Sequence, residues 1–135
     1  MTDIEITYKG DLRTKAMHLK SGATLEMDAP VDNMGKGESF SPTDMLATAL
    51  GSCMLTIMGI AAKNQNININ GTHAKIKKIM GKNPRRIKEI YLEIFFVNSI
   101  NTKHRKILER AAHHCPVSKS LHPNLKELVT FNYSK

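Results

Sequence analysis

The chain has no tryptophan, and only 5% of its 135 residues are aromatic. These few aromatics do not interleave with the basic residues, so a platform for stacking nucleic-acid bases is not expected. Only two cysteines are present, and no internal repeat, linker or low-complexity segment interrupts the sequence. The sequence therefore predicts a single domain over residues 1–135, which is long enough to bury a hydrophobic core.

A secretion signal is also missing, because Met1 is followed by Thr-Asp and then by an alternating pattern. The default prediction is therefore a cytoplasmic protein. In that compartment the two cysteines are expected to be reactive, redox-active or inert, rather than joined in a structural disulfide.

The net charge of +8 is compatible with binding to nucleic acid, an anionic surface or an acidic substrate. The basic residues concentrate in two clusters, which are Lys75, Lys77, Lys78, Lys82, Arg85, Arg86 and Lys88, and then Lys103, His104, Arg105 and Lys106. Because no aromatics stand between them, a solvated surface is the favoured interpretation, and we expect no nucleic-acid partner.

The stretch from Ser41 to Lys63 predicts a long central helix. Ser41 can cap this helix, Pro42 suits its first position, and Asp44 can return a hydrogen bond to the N–H of the cap residue. Apolar residues then recur at helical spacing, namely Leu46, Leu50, Cys53, Met54, Ile57, Met58 and Ala61. One of the two cysteines, Cys53, thus lies in the middle of the predicted helix.

The run from Met45 to Ala62 carries no charge and is just long enough to suggest a membrane span. Three polar residues interrupt it, namely Thr48, Ser52 and Thr56, and no second span exists in the sequence. The simpler interpretation is the buried central helix of a soluble domain, and we expect no membrane partner.

Around this helix the sequence pattern predicts six strands and a second helix. The strands cover residues 4–8, 12–19, 23–28, 72–80, 87–97 and 128–133, and residues 29–40 form a long loop. The second helix begins at Asn101 or Thr102 and ends at Cys115, because Pro116 cannot continue it, and a short further helical turn follows. This order predicts an α+β fold with helices packed on antiparallel sheet.

Cys53 is the first candidate for chemistry, although a lone cysteine on an apolar helix face is commonly a small buried hydrophobe. Reactivity requires a thiolate, and Cys53 is too far along its helix to draw on the helix dipole. A nearby cation would have to lower its pKa, and arginine suits that role because it stays charged and offers a planar set of donors.

Cys115 lies in the segment HHCPVSKSLH, where His113, His114 and His122 suggest a metal site. Their spacing fits no zinc pattern, because adjacent histidines point to different helix faces and no second cysteine is near, so no metal is expected. Paired with Cys53, Cys115 could instead act as a resolving thiol. A serine-histidine-aspartate site is not supported, because Ser52 lies in mid-helix without a nucleophile elbow.

Two stretches resemble the OsmC/Ohr family of thiol-dependent peroxidases, namely GESFSPTDMLATALGSCMLTIMGIAA and, much later, HHCPVSKSL. The segments GDLRTKAMHLKSG and DAPVDNMGKGE are similar to the OsmC-like branch of that family, so the resemblance covers nearly the whole chain. Its most specific pieces are SPTD followed by GSC, and CPVS.

The resemblance implies an OsmC-like fold, which is an intertwined homodimer of antiparallel sheets around a long central helix. It implies reduction of organic hydroperoxides, and of hydrogen peroxide less well, by a peroxidatic Cys53 and a resolving Cys115 that join in a disulfide. Arg13 matches the family arginine that holds the thiolate. A dithiol or a lipoyl group would supply electrons, and the chemistry needs no metal or organic cofactor.

One position departs from the family pattern. The family carries a glutamate ten residues before the peroxidatic cysteine, where this chain has Thr43. Asp44 follows one place later, and a one-residue step rotates a helical side chain by about 100°. Asp44 and Glu38 are therefore both open as acidic partners of Arg13.

The sequence thus supports the hypothesis of a homodimeric two-cysteine peroxidase with Cys53, Cys115, Arg13 and Asp44 as site residues. The competing hypothesis is a non-enzymatic basic binding module, in which both cysteines are structural.

Overall fold

The computed structural model describes residues 2–134, in which six strands and three α-helices follow one another. By their internal contacts the residues divide into two units, the first ending at Leu46 and the second beginning at Ala47. The single domain over residues 1–135 stays a prediction.

The first unit is built on a three-stranded antiparallel meander. Its strands are β1 (Ile4–Gly10), β2 (Arg13–His18) and β3 (Thr24–Asp28), as the alternating sequence pattern predicts. The loop that follows contains one turn of 3-10 helix, Val31–Asn33.

One face of this meander is apolar but exposed. Ile6 pairs with Ala16, and Ala16 pairs with Leu25, so the three side chains share one face. Four large side chains on this face are between 51% and 63% exposed, namely Ile4, Ile6, Tyr8 and Leu25. A single chain therefore leaves an unusually apolar sheet face in contact with water.

Helix α1 (Pro42–Asn64) begins at the predicted cap. The backbone N–H of Asp44 donates to Ser41 Oγ, and the N–H of Ser41 donates to the carboxylate of Asp44, both at 3.0 Å. This reciprocal pair satisfies two backbone groups that the first helical turn would otherwise leave without partners.

The second unit contains a mixed sheet of β4 (His73–Gly81), β5 (Arg86–Phe95) and β6 (Lys126–Asn132). Strands β4 and β5 form the predicted antiparallel hairpin, whereas β6 pairs with β5 in parallel. The expectation of wholly antiparallel sheets is therefore wrong for β6. The physical reason is the long helical connection between β5 and β6, which returns the chain to the end where β5 began.

The core of the second unit lies on one face of β5. Ile90, Leu92 and Ile94 are buried there, and so is Phe96, which directly follows β5, so the predicted alternation is confirmed. In α1, Leu50, Met54 and Met58 are buried as well. By length and composition alone α1 could cross a membrane. A side chain at Gly51 would collide with Ile76, so the part of α1 that lies in the second unit packs closely on β4.

Helix α2 (Thr102–Ala112) starts at Asn101, whose side chain accepts a hydrogen bond from the N–H of His104. It ends three residues earlier than the sequence predicts, and a separate single turn, α3 (Pro116–Lys119), follows it. The difference arises because a residue before proline avoids the helical region, and Cys115 is extended, with ψ 124°.

Candidate active site

Cys53 and Cys115 lie in the same unit, and the structure brings their side chains together. Cys53 projects from the middle of α1 and is half-buried, whereas Cys115 precedes α3 and is fully buried. The two thiols are free, and they lie close enough for the side chain of Cys53 to raise the pKa of Cys115. The partly accessible thiol can therefore meet a small oxidant, with the second thiol already beside it.

Burial raises the pKa of the Cys115 thiol, and the hydrogen bond with Cys53 raises that pKa further. The backbone N–H groups of Ser118 and Val117 act in the opposite direction but more weakly. At neutral pH Cys115 is therefore expected to be protonated. A protonated, buried thiol is a poor nucleophile, and Cys53 is the more accessible thiol of the two.

Arg13 lies in the first unit, in a cluster of carboxylates. Its Nε donates to Asp28 Oδ1 at 2.7 Å, and its Nη2 donates to Asp28 Oδ2 at 2.9 Å. Nη2 also donates to Glu38 Oε2 at 3.1 Å, and Nη1 is 3.8 Å from the carboxylate of Glu26. The guanidinium thus joins β2, β3 and the loop that follows β3.

Asp28 is the buried member of this cluster, with only 1% of its surface exposed. The two hydrogen bonds from Arg13 lower the pKa of Asp28. The backbone N–H of Glu38, which donates to Asp28 Oδ2 at 3.2 Å, lowers that pKa as well. These carboxylates in turn raise the pKa of Arg13. Asp28 is therefore ionised at neutral pH, with its charge matched by the guanidinium.

Of the two acids that the sequence left open, Glu38 bonds to Arg13. The contacts of Asp44 with Ser41 make it the hydrogen-bonding partner of the helix cap, and its role as a site residue stays a prediction. Asp28 was not predicted as a partner of Arg13, although the sequence contains the information needed to pair the two residues. If the hairpin is centred on the Lys20-Ser21 pair, counting outward places Arg13 opposite Asp28, as the observed register does.

The histidines around Cys115 have other partners. His113 contacts the ring of Phe131 edge-on at 6.2 Å, and a ring nitrogen of His114 donates to the carbonyl of Arg110 at 2.8 Å. Within residues 2–134 no three potential ligands among His, Cys, Asp and Glu are grouped closely enough to hold a metal ion.

Residues 35–127 match the family model described as OsmC-like protein. The chain is also similar to solved structures. A protein from Psychrobacter arcticus 273-4, provisionally described as an osmotic stress induced and detoxification response protein, is 50% identical with a TM-score of 0.95. That similarity covers 98% of this chain and 96% of the other. No curated protein sequence is significantly similar to this chain.

Two more distant structures share the fold. The OsmC-like protein of Mycoplasma pneumoniae is 22% identical, with a TM-score of 0.79 over 100% of this chain and 98% of that one. The organic hydroperoxide resistance protein OsmC of Legionella pneumophila is 13% identical, with a TM-score of 0.76 over 98% of both chains.

Proposed function

Because the chain belongs to the OsmC-like protein family, we propose that it is a thiol-dependent peroxidase that reduces organic hydroperoxides, and hydrogen peroxide less well. The observation that carries this proposal is the proximity of a half-buried Cys53 to a fully buried Cys115, together with the free state of both thiols. Two thiols in contact, one of them accessible, are suited to peroxide reduction through a disulfide. The same reaction would serve in a response to peroxide stress, and we place it in the cytoplasm.

The reaction balances with the residues of this chain and one external dithiol. The Cys53 thiolate attacks the terminal peroxide oxygen, and an S–O bond forms as the O–O bond breaks, so that Cys53 becomes a sulfenic acid. The alkoxide that leaves takes up the proton that the Cys53 thiol had released and becomes the alcohol. Cys115 then attacks the Cys53 sulfur, the S–O bond breaks, and water leaves as the disulfide forms. A dithiol, such as a reduced lipoyl group, restores both thiols by exchange and is itself oxidised. No metal or organic cofactor takes part in these steps.

This proposal predicts the thiol content of the protein after one oxidation. One equivalent of an organic hydroperoxide, added without reductant, should remove both free thiols and leave a Cys53–Cys115 disulfide within one chain. Thiol titration and mass spectrometry of the unreduced protein measure this directly. Retention of both thiols after a tenfold excess of peroxide would rule out the peroxidase.

Arg13 is proposed as the group that favours the Cys53 thiolate. In the structure its charge is matched by Asp28 and Glu38, so the guanidinium would have to give up part of this bonding to act on a thiolate. Glu38 is the partner that it could exchange, because the Glu38 side chain is 64% exposed and makes a single bond. Asp44 is proposed as a supporting residue, because its hydrogen bonds with Ser41 stabilise the start of α1.

We further propose that the protein is a homodimer, because a second copy would bury the exposed apolar face of the β1–β2–β3 meander. The meander exposes Ile4, Ile6, Tyr8 and Leu25 together, and an identical chain offers a self-complementary apolar partner. Burial of one such side chain is worth about 1.5–3 kcal/mol, so four in each of two copies would contribute substantially to association.

The dimer predicts a mass of twice the 15.1 kDa chain in light scattering at micromolar concentration. Ile6→Lys should shift the protein toward monomer, because it puts a charge into the apolar interface. Thr7→Lys is the matched control, since Thr7 lies on the opposite face of β1 and is also exposed. A monomeric wild-type protein would contradict the proposed assembly.

A further inference from the structure

The position of Cys115 depends on α3, which is too short to be stable without contacts to the rest of its unit. Cys115 is extended and directly precedes α3, which has only four residues. A single helical turn has no stability of its own in water, because nucleation costs more than one turn returns. Contacts with the rest of the unit must therefore fix α3, and with it the direction of the Cys115 side chain.

Ser118 supplies one such contact. Its hydroxyl lies 2.8 Å and 3.0 Å from the two carboxylate oxygens of Glu127, to which it donates a shared hydrogen bond. Both residues are half-buried, so water competes poorly for the bond. Glu127 belongs to β6 and pairs in register with the buried Ile90 of β5. The bond therefore ties α3 to β6, which pairs directly with the core strand β5.

Ser120 makes a contrasting bond in the same segment. Its hydroxyl donates to the carbonyl of Pro116 at 2.8 Å, and this bond stays within the turn itself. Loss of this local bond leaves the tie to β6 intact. A comparison of variants at the two serines therefore distinguishes the attachment of α3 to the sheet from the internal stability of the turn.

We propose that the Ser118–Glu127 hydrogen bond positions Cys115 for its attack on modified Cys53, an inference that rests on the proposed peroxidase function. Ser118 lies three residues after Cys115, which is about one helical turn, so rotation or displacement of α3 moves the Cys115 sulfur directly. Attack on sulfur demands alignment with the bond that breaks, and a displacement of about 1 Å can cost on the order of a hundredfold in rate.

The contacts of Glu127 and Ser118 define them as positioning residues. They exchange no atoms or electrons in the step, in which the Cys115 sulfur forms the new S–S bond. When Cys53 is a sulfenic acid, the S–O bond breaks and water leaves. When Cys53 carries an aromatic thiol in a mixed disulfide, the old S–S bond breaks and the aromatic thiolate leaves.

The test measures ring closure from the mixed disulfide, so it does not depend on any reaction with peroxide. Cys53, as the accessible thiol, is first labelled with dithiobis-nitrobenzoate, and release of the second nitrothiobenzoate reports attack by Cys115. Ser118→Ala should slow this second release about tenfold. Ser120→Ala, the matched control, should close within about twofold of wild type.

Two further variants separate positioning from simple loss of stability. Glu127→Gln keeps an oxygen that can accept from Ser118, so it should recover most of the closure rate that Glu127→Ala loses. The pH at which closure is half-maximal should stay as in wild type in all four variants, since alignment and not the acidity of Cys115 is altered. Labelling of Cys53 should also proceed at the wild-type rate.

Equal closure rates for Ser118→Ala and Ser120→Ala would overturn the inference, as would a Glu127→Gln variant as slow as Glu127→Ala. If closure behaves as expected but peroxide leaves both thiols of the wild type unoxidised, the proposed function fails while the positioning by Ser118 and Glu127 stands. If peroxide forms the disulfide at the wild-type rate in Ser118→Ala, the inference fails and the peroxidase stands.

Discussion

Cys53→Ser is expected to abolish peroxide consumption in the presence of excess dithiol, with a loss of about a hundredfold or more. The reason is chemical, because the serine hydroxyl keeps the shape of the side chain but is not ionised at neutral pH. Cys115 cannot take over the first step, since it is fully buried and its pKa is raised. The rate of hydroperoxide loss, measured at saturating dithiol, provides the test.

The control for this variant is Cys115→Ser, which keeps the accessible thiol and removes the resolving one. This protein should consume one equivalent of peroxide quickly and then stop or slow, with Cys53 held as a sulfenic acid that a dimedone-type reagent traps. The peroxidase is refuted if Cys53→Ser turns over at the wild-type rate. A Cys115→Ser protein with full turnover would instead show that an external thiol resolves Cys53.

The central helix illustrates what the sequence predicts well. Its cap and its first proline are local features, and they predict the start of α1. The apolar spacing is predictive in part, since Leu50, Met54 and Met58 of the seven predicted apolar residues are buried. The alternation along β5 and the residue after it is equally local, and Ile90, Leu92, Ile94 and Phe96 are buried as predicted. Cys53 could be placed on this helix because both the helix and the motif around the cysteine are continuous in sequence.

Features that depend on distant pairing could not be placed in the same way. Nothing in the sequence of β6 distinguishes a parallel from an antiparallel neighbour, because that choice depends on how α2 and α3 carry the chain across. The contact of Ser118 with Glu127 depends on that choice, so it could not be predicted from the sequence. The sequence predicted that the helix ends at Cys115, directly before Pro116. Proline also keeps the residue before it out of the helical conformation, so Cys115 itself is extended.

The Arg13 cluster was only partly predictable for a different reason. The sequence directed attention to acids near the central helix, namely Glu38 and Asp44, because the family pattern carries its acid there. The strongest partner of Arg13 is instead Asp28, directly opposite on the neighbouring strand. Cross-strand pairs are decided by hairpin register, and the register here can be counted from the turn.

Asp28→Asn is expected to lower the melting temperature by about 5–10 °C at neutral pH. Asparagine keeps the shape of the side chain but removes the charge that meets Arg13 through two hydrogen bonds, so the guanidinium loses its buried counter-ion. Glu38→Gln is the matched control, because it removes another carboxylate partner of the same arginine. The Glu38 side chain is 64% exposed, and exposed pairs contribute little, so its melting temperature should change by no more than about 2 °C.

The pH dependence of this difference follows from the direction of the Asp28 pKa. Arg13 lowers that pKa in the folded protein, so the folded state binds the proton less readily than the unfolded state does. The stabilisation is therefore complete above the ordinary aspartate pKa of about 3.9 and is lost as the pH falls through the lower folded value. Melting curves of the wild type and Asp28→Asn should be well separated from pH 7 down to about 4 and converge below it. Curves that keep their full separation throughout acid titration would show that the ionised Asp28 carboxylate does not stabilise the first unit.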